Sequence, residues 1–466
     1  MMSCIALGVG IVFLLFLIIR TKIHAFPALI ITSVIMGLLS KLSIEETLKA
    51  VTGGFGGTLG SIGVIIGFGC IMGKLMEESG GAKKMAVAIL RLVGIKRADV
   101  VVGLTGLFVS VPVFCDSGFV ILSQLAKEFS RITRKSMVGL GGILGMGLYI
   151  THFLVPPTPG PLAVAGFFNV DLGLMILGGI LLSIPLFLIS ILYFRYVGSK
   201  HPELILEPDY TGMNEEAKNK VQHIMEQYGQ GKSIDDSVFL DTLDSGNLPG
   251  TGMSFAPIVI PIVLILLNTI CNALGAPECT AMSVVHLFGH PIVAVFIGVL
   301  LSVYGLNSSR PREECLKIMQ SAMADAGLIL LVTGAGGALG NVIRVTGIGN
   351  VMAEYILSLH IPAILVPLLM GAMIRIPQGS GTVAMITSGS ILAPMLSTLG
   401  LDPLMAALAV CTTAMFISYP NDSYFWVVTN FSGMDVKTSL KTWTPATALI
   451  PVCGALILIG VNHFFF

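Results

Sequence analysis

Residues 99–129 read DVVVGLTGLFVSVPVFCDSGFVILSQLAKEF. Two apolar arms flank a centre, Val111 to Phe119, that carries a proline, an aspartate, a serine and a glycine. A second stretch, 361–396, has the same build around Arg375-Ile376-Pro377-Gln378-Gly379-Ser380-Gly381-Thr382. Halved, the arms run about 15–18 residues, roughly 22–27 Å at 1.5 Å per residue. Once a turn is subtracted, two full crossings of a ~30 Å hydrocarbon core do not fit. A re-entrant helical hairpin does, with its irregular tip enclosed by protein or beside a water-filled cavity. Charge agrees for the first stretch. Lys83, Lys84, Arg91, Lys96 and Arg97 precede it, and Lys127, Arg131, Arg134 and Lys135 follow. Basic flanks at both ends place both ends on the cytoplasmic side.

Composition sets the surroundings. The 466 residues include 26 basic and 26 acidic ones, so 11% are charged against 54% hydrophobic. Mean hydropathy is +0.90. A soluble domain carries about 25% charged residues, so most of this chain is too apolar to face water. The 54 glycines and 23 prolines are scattered through apolar stretches, as in helices packed within a bilayer. A soluble enzyme, a nucleic-acid binder and a fibrous protein are excluded, and the lipid bilayer becomes the first partner. The expected fold is an all-α polytopic membrane protein.

Candidate spans are 4–19, 25–40, 58–76, 136–167, 172–194, 255–272, 289–306, 326–343, 403–428 and 444–463. The first is read as a spanning helix and not a cleaved signal, since it has no basic n-region and no small-residue cleavage site. The eight cysteines form no CxxC pair, which argues against zinc and thioredoxin-like chemistry. Only Cys271 and Cys279 are spaced to invite a disulfide. No metal and no cofactor is expected. Trp426 and Trp443 are assigned to the interfacial aromatic belt.

The chain repeats itself. Glu45-Glu46-Thr47-Leu48-Lys49 is echoed by Glu313-Glu314-Cys315-Leu316-Lys317, an offset of 268. Gly67, Gly69 and Gly73 are echoed at 267 by Gly334, Gly336 and Gly340, and Gly106 and Pro112 at 265 by Gly371 and Pro377. An N-terminal repeat is set at 1–198 and a C-terminal repeat at 254–466. Each holds about five spanning helices and a hairpin (99–129; 361–396), and five crossings invert the second half relative to the first. Inverted repeats with broken helices and a midplane site are a recurrent plan of secondary transporters. The polar stretch between them, 199–253, reads as a cytoplasmic linker with an amphipathic segment near Asn214–Gln227. From Lys200 to Asp244 it carries a net charge of −6.

Polar groups at membrane depth are functional candidates, and they fall in four places. In the first tip Asp116 is a candidate proton carrier, or an N-cap of the second arm; Ser117 and Gly118 follow it. In the second, Gly379-Ser380-Gly381-Thr382 offers helix-start amides and hydroxyls to an anion. There Arg375 is set either to meet a carboxylate or to pair with Asp116 or Asp422, and Gln378 stands beside it. The helix 136–167 must break at Val155-Pro156-Pro157-Thr158-Pro159-Gly160-Pro161, because the prolines remove donors and free carbonyls. His152, just before it, is a proton relay or a packing residue. The helix 403–428 breaks at Ser418-Tyr419-Pro420-Asn421-Asp422-Ser423-Tyr424, where Asn421, Asp422 and Ser423 are hydrogen-bonding groups in an apolar span.

At these places the sequence resembles the gluconate permease family of proton symporters. The resemblance rests on Pro112-Val113-Phe114 with Asp116 and Gly118-Phe119, and on Thr151-His152 before Pro156-Pro157. It also rests on Gly379-Ser380-Gly381-Thr382-Val383 and on Asn421-Asp422-Ser423 before Phe425-Trp426. It covers nearly the whole chain outside the linker. It implies a multi-pass carrier of the bacterial inner membrane, a homodimer, that takes a small carboxylate together with a proton. Asp116 stands where such permeases tend to carry Glu, and Thr158 where they tend to carry His. The expected substrate is an aldonate such as gluconate, with glycerate and D-serine as alternatives. Its contacts would be Ser117, Gly118, Thr158, Gly160, Arg375, Gln378, Ser380, Gly381, Thr382, Asn421 and Ser423. Asp116, Asp422 and His152 would serve proton coupling. Sodium coupling is the nearest rival. An intramembrane serine hydrolase built on Ser380 is the remote one, and it leaves the duplication unexplained.

Overall fold

A computed structural model describes residues 20–207, 248–274, 279–347 and 361–465, with scattered positions between 9 and 17 and between 349 and 358. Most of the 4–19 span and the Asn214–Gln227 segment lie outside the described residues. The described residues are mostly helical, with no strand among them. Among the described residues, seven helices, or eight if the bent pair Thr280–Gly289 and Pro291–Leu306 counts as one, are long and apolar enough to cross a membrane. The protein is a polytopic helical membrane protein.

In chain order the helices are α1 (Ala25–Leu39), α2 (Ile44–Glu78), α3 (Gly81–Val93), α4 (Ala98–Val109), α5 (Cys115–Thr133), α6 (Met137–Leu154), α7 (Pro159–Phe168) and α8 (Leu172–Ser199). After the linker come α9 (Thr251–Ala273), α10 (Thr280–Gly289), α11 (Pro291–Leu300), α12 (Arg312–Val345), α13 (Leu365–Gln378), α14 (Gly381–Leu392), α15 (Pro403–Thr413), α16 (Ser423–Phe431) and α17 (Val436–Phe465).

The helix α2 is much longer than the 58–76 expected. A capping box starts it: the Ser43 amide donates to Glu46 Oε2 at 2.9 Å, and the Glu46 amide donates to Ser43 Oγ at 3.2 Å. Each glycine in its first half weakens an isolated helix by about 1 kcal/mol relative to Ala. Here the glycines admit a neighbour. A Cβ on Gly54 would lie 2.4 Å from the Gly337 carbonyl oxygen, and one on Gly337 would lie 2.7 Å from that of Gly54. Small residues let helix backbones approach this closely in membranes. The partner, α12, runs antiparallel. Asn341, near its end, donates to Ala50 O at 2.7 Å, while Arg310, before its start, meets Glu78.

A second packing unit centres on α6, which is buried over its whole length except Gly139. A helix apolar on every side belongs in the middle of a bundle. Gly147 backs onto the Gly103 carbonyl of α4, and Gly142 accommodates Phe194 of α8. Trp443 corrects its expected interfacial position. It is fully buried, with ring centroids 5.8 Å from Tyr149 and 5.7 Å from Tyr424. Its indole N–H donates to Ser418 at 3.0 Å, so a polar partner inside the bundle replaces the interface. Trp426 is 41% exposed. Cys271 and Cys279 are free thiols.

Candidate functional site

Four interruptions converge. The first lies between α4 and α5, at Ser110–Phe114. The second lies between α6 and α7, where Val155 to Thr158 carry no regular helix. The third is Gly379–Ser380 between α13 and α14, and the fourth is Ala414–Asp422 between α15 and α16. The α2 glycines seat two of them. A Cβ on Gly73 would lie 2.1 Å from Pro112 O, and one on Gly69 would lie 3.4 Å from Pro157 O.

The strongest electrostatic feature is a sealed ion pair. Arg375 is completely buried, and its Nη2 donates to Asp422 Oδ2 at 2.6 Å and to the Tyr149 hydroxyl at 3.0 Å. Its Nη1 donates to the Gly379 carbonyl. Asp422 is as fully engaged. Its Oδ2 also accepts from Ser418 at 2.6 Å, and its Oδ1 accepts the Tyr424 amide at 3.1 Å, capping α16. Tyr149 passes the link to the other side by donating to Met415 O at 3.3 Å, and it stacks on Tyr424 with ring centroids 5.4 Å apart. Of the two aspartates the sequence offered Arg375 as partners, it pairs with Asp422. Neither group faces solvent.

The fourth interruption is held in an unusual backbone shape. Ile417 has φ +52°, a conformation that β-branched residues rarely adopt. The last helix fixes it: the Ile417 amide donates to Thr447 O at 3.1 Å, the Ser418 amide to Thr447 Oγ1 at 2.9 Å, and Thr444 donates to Ser418 O at 2.7 Å. Strain of this kind tends to mark functional segments.

Asp116 differs from Asp422. It sits in the first turn of α5, whose N-cap is Phe114, so it is not the cap the sequence allowed. It is partly exposed. Its contacts are Cys115 Sγ at 3.6 Å and, across from the fourth interruption, the Ser423 hydroxyl at 3.5 Å. Both contacts are long, and no cation pairs with it among the described residues.

Ser380, Asn421 and Ser423 are exposed, while Gln378 and Thr382 are partly so. Gln378 accepts the Ser380 amide at 2.8 Å, and Ser380 Oγ accepts the Val383 amide at 3.4 Å, capping α14. Asn421 donates to Ile376 O at 3.0 Å, tying the fourth interruption to the third. Gly379 is where they touch. Its φ is +80°, and a Cβ there would lie 2.4 Å from Asn421 O.

Other expected residues are packed away. The Thr158 hydroxyl is buried and donates to Val155 O at 2.7 Å. Gly160 backs onto Met385, Gly381 onto Phe153, and Gly118 onto Leu148. His152 is buried between the rings of Phe114 and Phe153, with Nδ1 unpartnered. Ser117 lines a small cleft with Cys70, Lys74, Glu77 and Asp325. The sequence reading placed Ser418 in the fourth break without giving it a role, and it missed Tyr149 and this cleft. A tyrosine in an apolar run carries no special pattern, although Lys74 and Asp325, lying within helices long enough to span, were visible as charges at depth.

Alanine at Gly379 combines a positive-φ conformation that L side chains rarely adopt with a clash against backbone. Gly379→Ala is expected to lower initial uptake in membrane vesicles severely. Gly433→Ala has φ +68° but nothing near its Cβ position, and is expected to keep uptake. Equal loss in both variants would show that backbone strain, not the contact with Asn421, is what matters.

Comparison with known proteins agrees with this architecture. The profile described as GntP family permease matches residues 2–464. An "uncharacterized permease" of Haemophilus influenzae is 39% identical over 99% of this chain and 92% of its own length. The inner membrane permease YgbN of Escherichia coli is 32% identical over 97% of each chain. A gluconate permease of Pseudomonas aeruginosa is 31% identical over 97% of this chain and 95% of its own. Among solved structures, the YdaH transporter of Alcanivorax borkumensis aligns with TM-score 0.63 at 17% identity, covering 90% of this chain and 89% of that one. The likeness to YdaH speaks for the fold.

Proposed function

This chain belongs to the GntP family of permeases, and from that premise we propose that it is a proton-coupled symporter for a small hydroxy-carboxylate of the aldonate type. That it is a multi-pass transporter of the bacterial inner membrane, and not an enzyme, follows from the family and its spanning helices. Relatives named for gluconate and for L-idonate support the substrate class. The observation that carries the proton reading is the contrast between two aspartates: Asp422 is paired with Arg375, whereas Asp116 is partly exposed and has no cation beside it among the described residues.

Charge then couples the two ligands. A substrate carboxylate next to ionised Asp116 would place like charges together, and such a pair drives one member to take a proton. Binding of each ligand favours the other, and by linkage the effect is reciprocal. One proton per carboxylate leaves the charge of the site the same in the loaded and empty carrier. The amides of Gly381 and Thr382 at the start of α14 are the anion donors in this reading. Ser423 and Asn421 offer hydrogen bonds to substrate hydroxyls. The α4–α5 and α13–α14 hairpins act as re-entrant elements of two inverted repeats. The antiparallel pairing of α2 with α12, the helices that carry the Glu-Glu-x-Leu-Lys echoes, supports that arrangement.

Luminal pH in proteoliposomes tests the reading. Adding D-gluconate in sodium-free buffer is expected to acidify the lumen only when the protein is present. Uptake that requires sodium and leaves luminal pH unchanged would overturn proton coupling. Acidification by D-serine or glycerate but not gluconate would overturn the aldonate assignment.

A further inference from the structure

Away from the four interruptions, a cavity of about 440 Å³ opens between α4, α6 and α8. Its polar end holds Asp99, Arg134, Lys135 and Arg195, and its wall includes Leu140, Ile143 and Phe194. Asp99 is nearly buried and bridges the two cations: Lys135 Nζ lies 3.1 Å from Oδ1, and Arg195 Nε donates to Oδ2. The triad therefore keeps one net positive charge. Arg195 engages Asp99 through Nε alone, so its two terminal amino groups have no acceptor among the described residues. Arg134 forks onto Glu207 at 3.1 and 3.2 Å, in an exposed pair. That contact holds the Glu207 carboxyl below its ordinary value.

The outer face of α8 fixes the level of this cavity. Leu181, Ile184, Leu188 and Leu192 are all more than half exposed, which suits contact with acyl chains. The apolar face ends at Tyr196, whose ring carries Lys200 Nζ at 4.0 Å from its centroid. Tyrosine followed by lysine is the pattern of a helix leaving the membrane at the headgroup layer. Arg195 sits at this transition, on the side that the basic residues mark as cytoplasmic.

We propose that this cavity binds an anionic phospholipid from the cytoplasmic leaflet, its phosphate held by Arg195, Lys135 and Arg134 and its first chain carbons against Leu140, Ile143 and Phe194. Basic pockets between spanning helices on this side suit anionic headgroups. The apolar wall and the neighbouring acyl-facing helix favour a lipid over a soluble phosphate ester. Glu207 competes with the headgroup for Arg134.

The test is the unfolding temperature of the purified full chain in neutral detergent, titrated with phosphatidylglycerol, phosphatidylcholine or sn-glycerol 3-phosphate. Phosphatidylglycerol is expected to stabilise selectively. Arg195→Gln is expected to raise its half-saturating concentration roughly fivefold, the effect of one cation near an anionic surface. Glu207→Gln is expected to lower it by freeing Arg134. If Arg195→Gln does not fold, Arg134→Gln breaks only an exposed pair and reads the same effect. Equal stabilisation by phosphatidylcholine, or indifference to these substitutions, overturns the proposal. Stabilisation by glycerol 3-phosphate matching that by the lipid overturns it as well, in favour of a free phosphate ester.

Discussion

Replacing Arg375 with Met is expected to destabilise the folded chain by about 3–5 kcal/mol, the range for a buried ion pair that loses one member. The guanidinium is completely buried and serves Asp422, Tyr149 and the Gly379 carbonyl together. Met fills much of its volume but leaves an aspartate carboxylate inside the protein with only Ser418 and the Tyr424 amide to stabilise it. Asp422→Asn is expected to be milder than Arg375→Met. It keeps the shape and much of the cap on α16, but it strands a buried cation. The double variant Arg375→Met/Asp422→Asn is expected to recover most of the loss, since no uncompensated charge remains. Thermal unfolding of the three purified variants closes the cycle. Additive losses in the double variant would mean that the two side chains act separately.

Asp116→Asn is expected to have the largest effect on transport with little effect on stability. The side chain is partly exposed and its contacts are long, so the amide fits without rearrangement. What disappears is the titrating group. Substrate counterflow between equal concentrations is expected to persist, because binding needs no change of protonation there. Uphill uptake driven by an imposed pH gradient is expected to vanish. Luminal acidification upon substrate addition should vanish with it. Retained acidification in Asp116→Asn would remove this residue from the coupling mechanism and send the search to the Lys74, Glu77 and Asp325 cleft. Arg375→Met cannot imitate the result, because its defect is in folding and would abolish counterflow too.

The two variants also separate what was legible in the sequence from what was not. The positions of the interruptions were readable, because they follow from local chemistry: prolines at 156, 157, 159 and 161 cannot supply the amides a helix needs, and Gly379 takes a backbone conformation few residues tolerate. The role of Arg375 was not readable to the same degree. Its partner lies 47 residues away, and a guanidinium beside a proline suits a substrate carboxylate as well as it suits Asp422. The extent of α2 beyond the apolar stretch 58–76 was not legible for a related reason. Its glycines oppose helix in isolation and favour it only once α12 lies against them. Trp443 was placed at the interface because tryptophan usually finds its polar partner there, and the Ser418 hydroxyl that holds it inside is 25 residues away in sequence.

The sequence by itself determined that this protein lives in a bilayer, that its helices are interrupted at defined points, and that polar residues gather at those points. Hydropathy, proline chemistry and glycine conformation act on residues and their near neighbours, so one strand of text contains them. Only the tertiary structure decided which charge is neutralised and which remains available. Pairing depends on segments far apart in the chain meeting within about 3 Å, and in a low-dielectric interior that meeting decides whether an aspartate's charge is compensated by a cation.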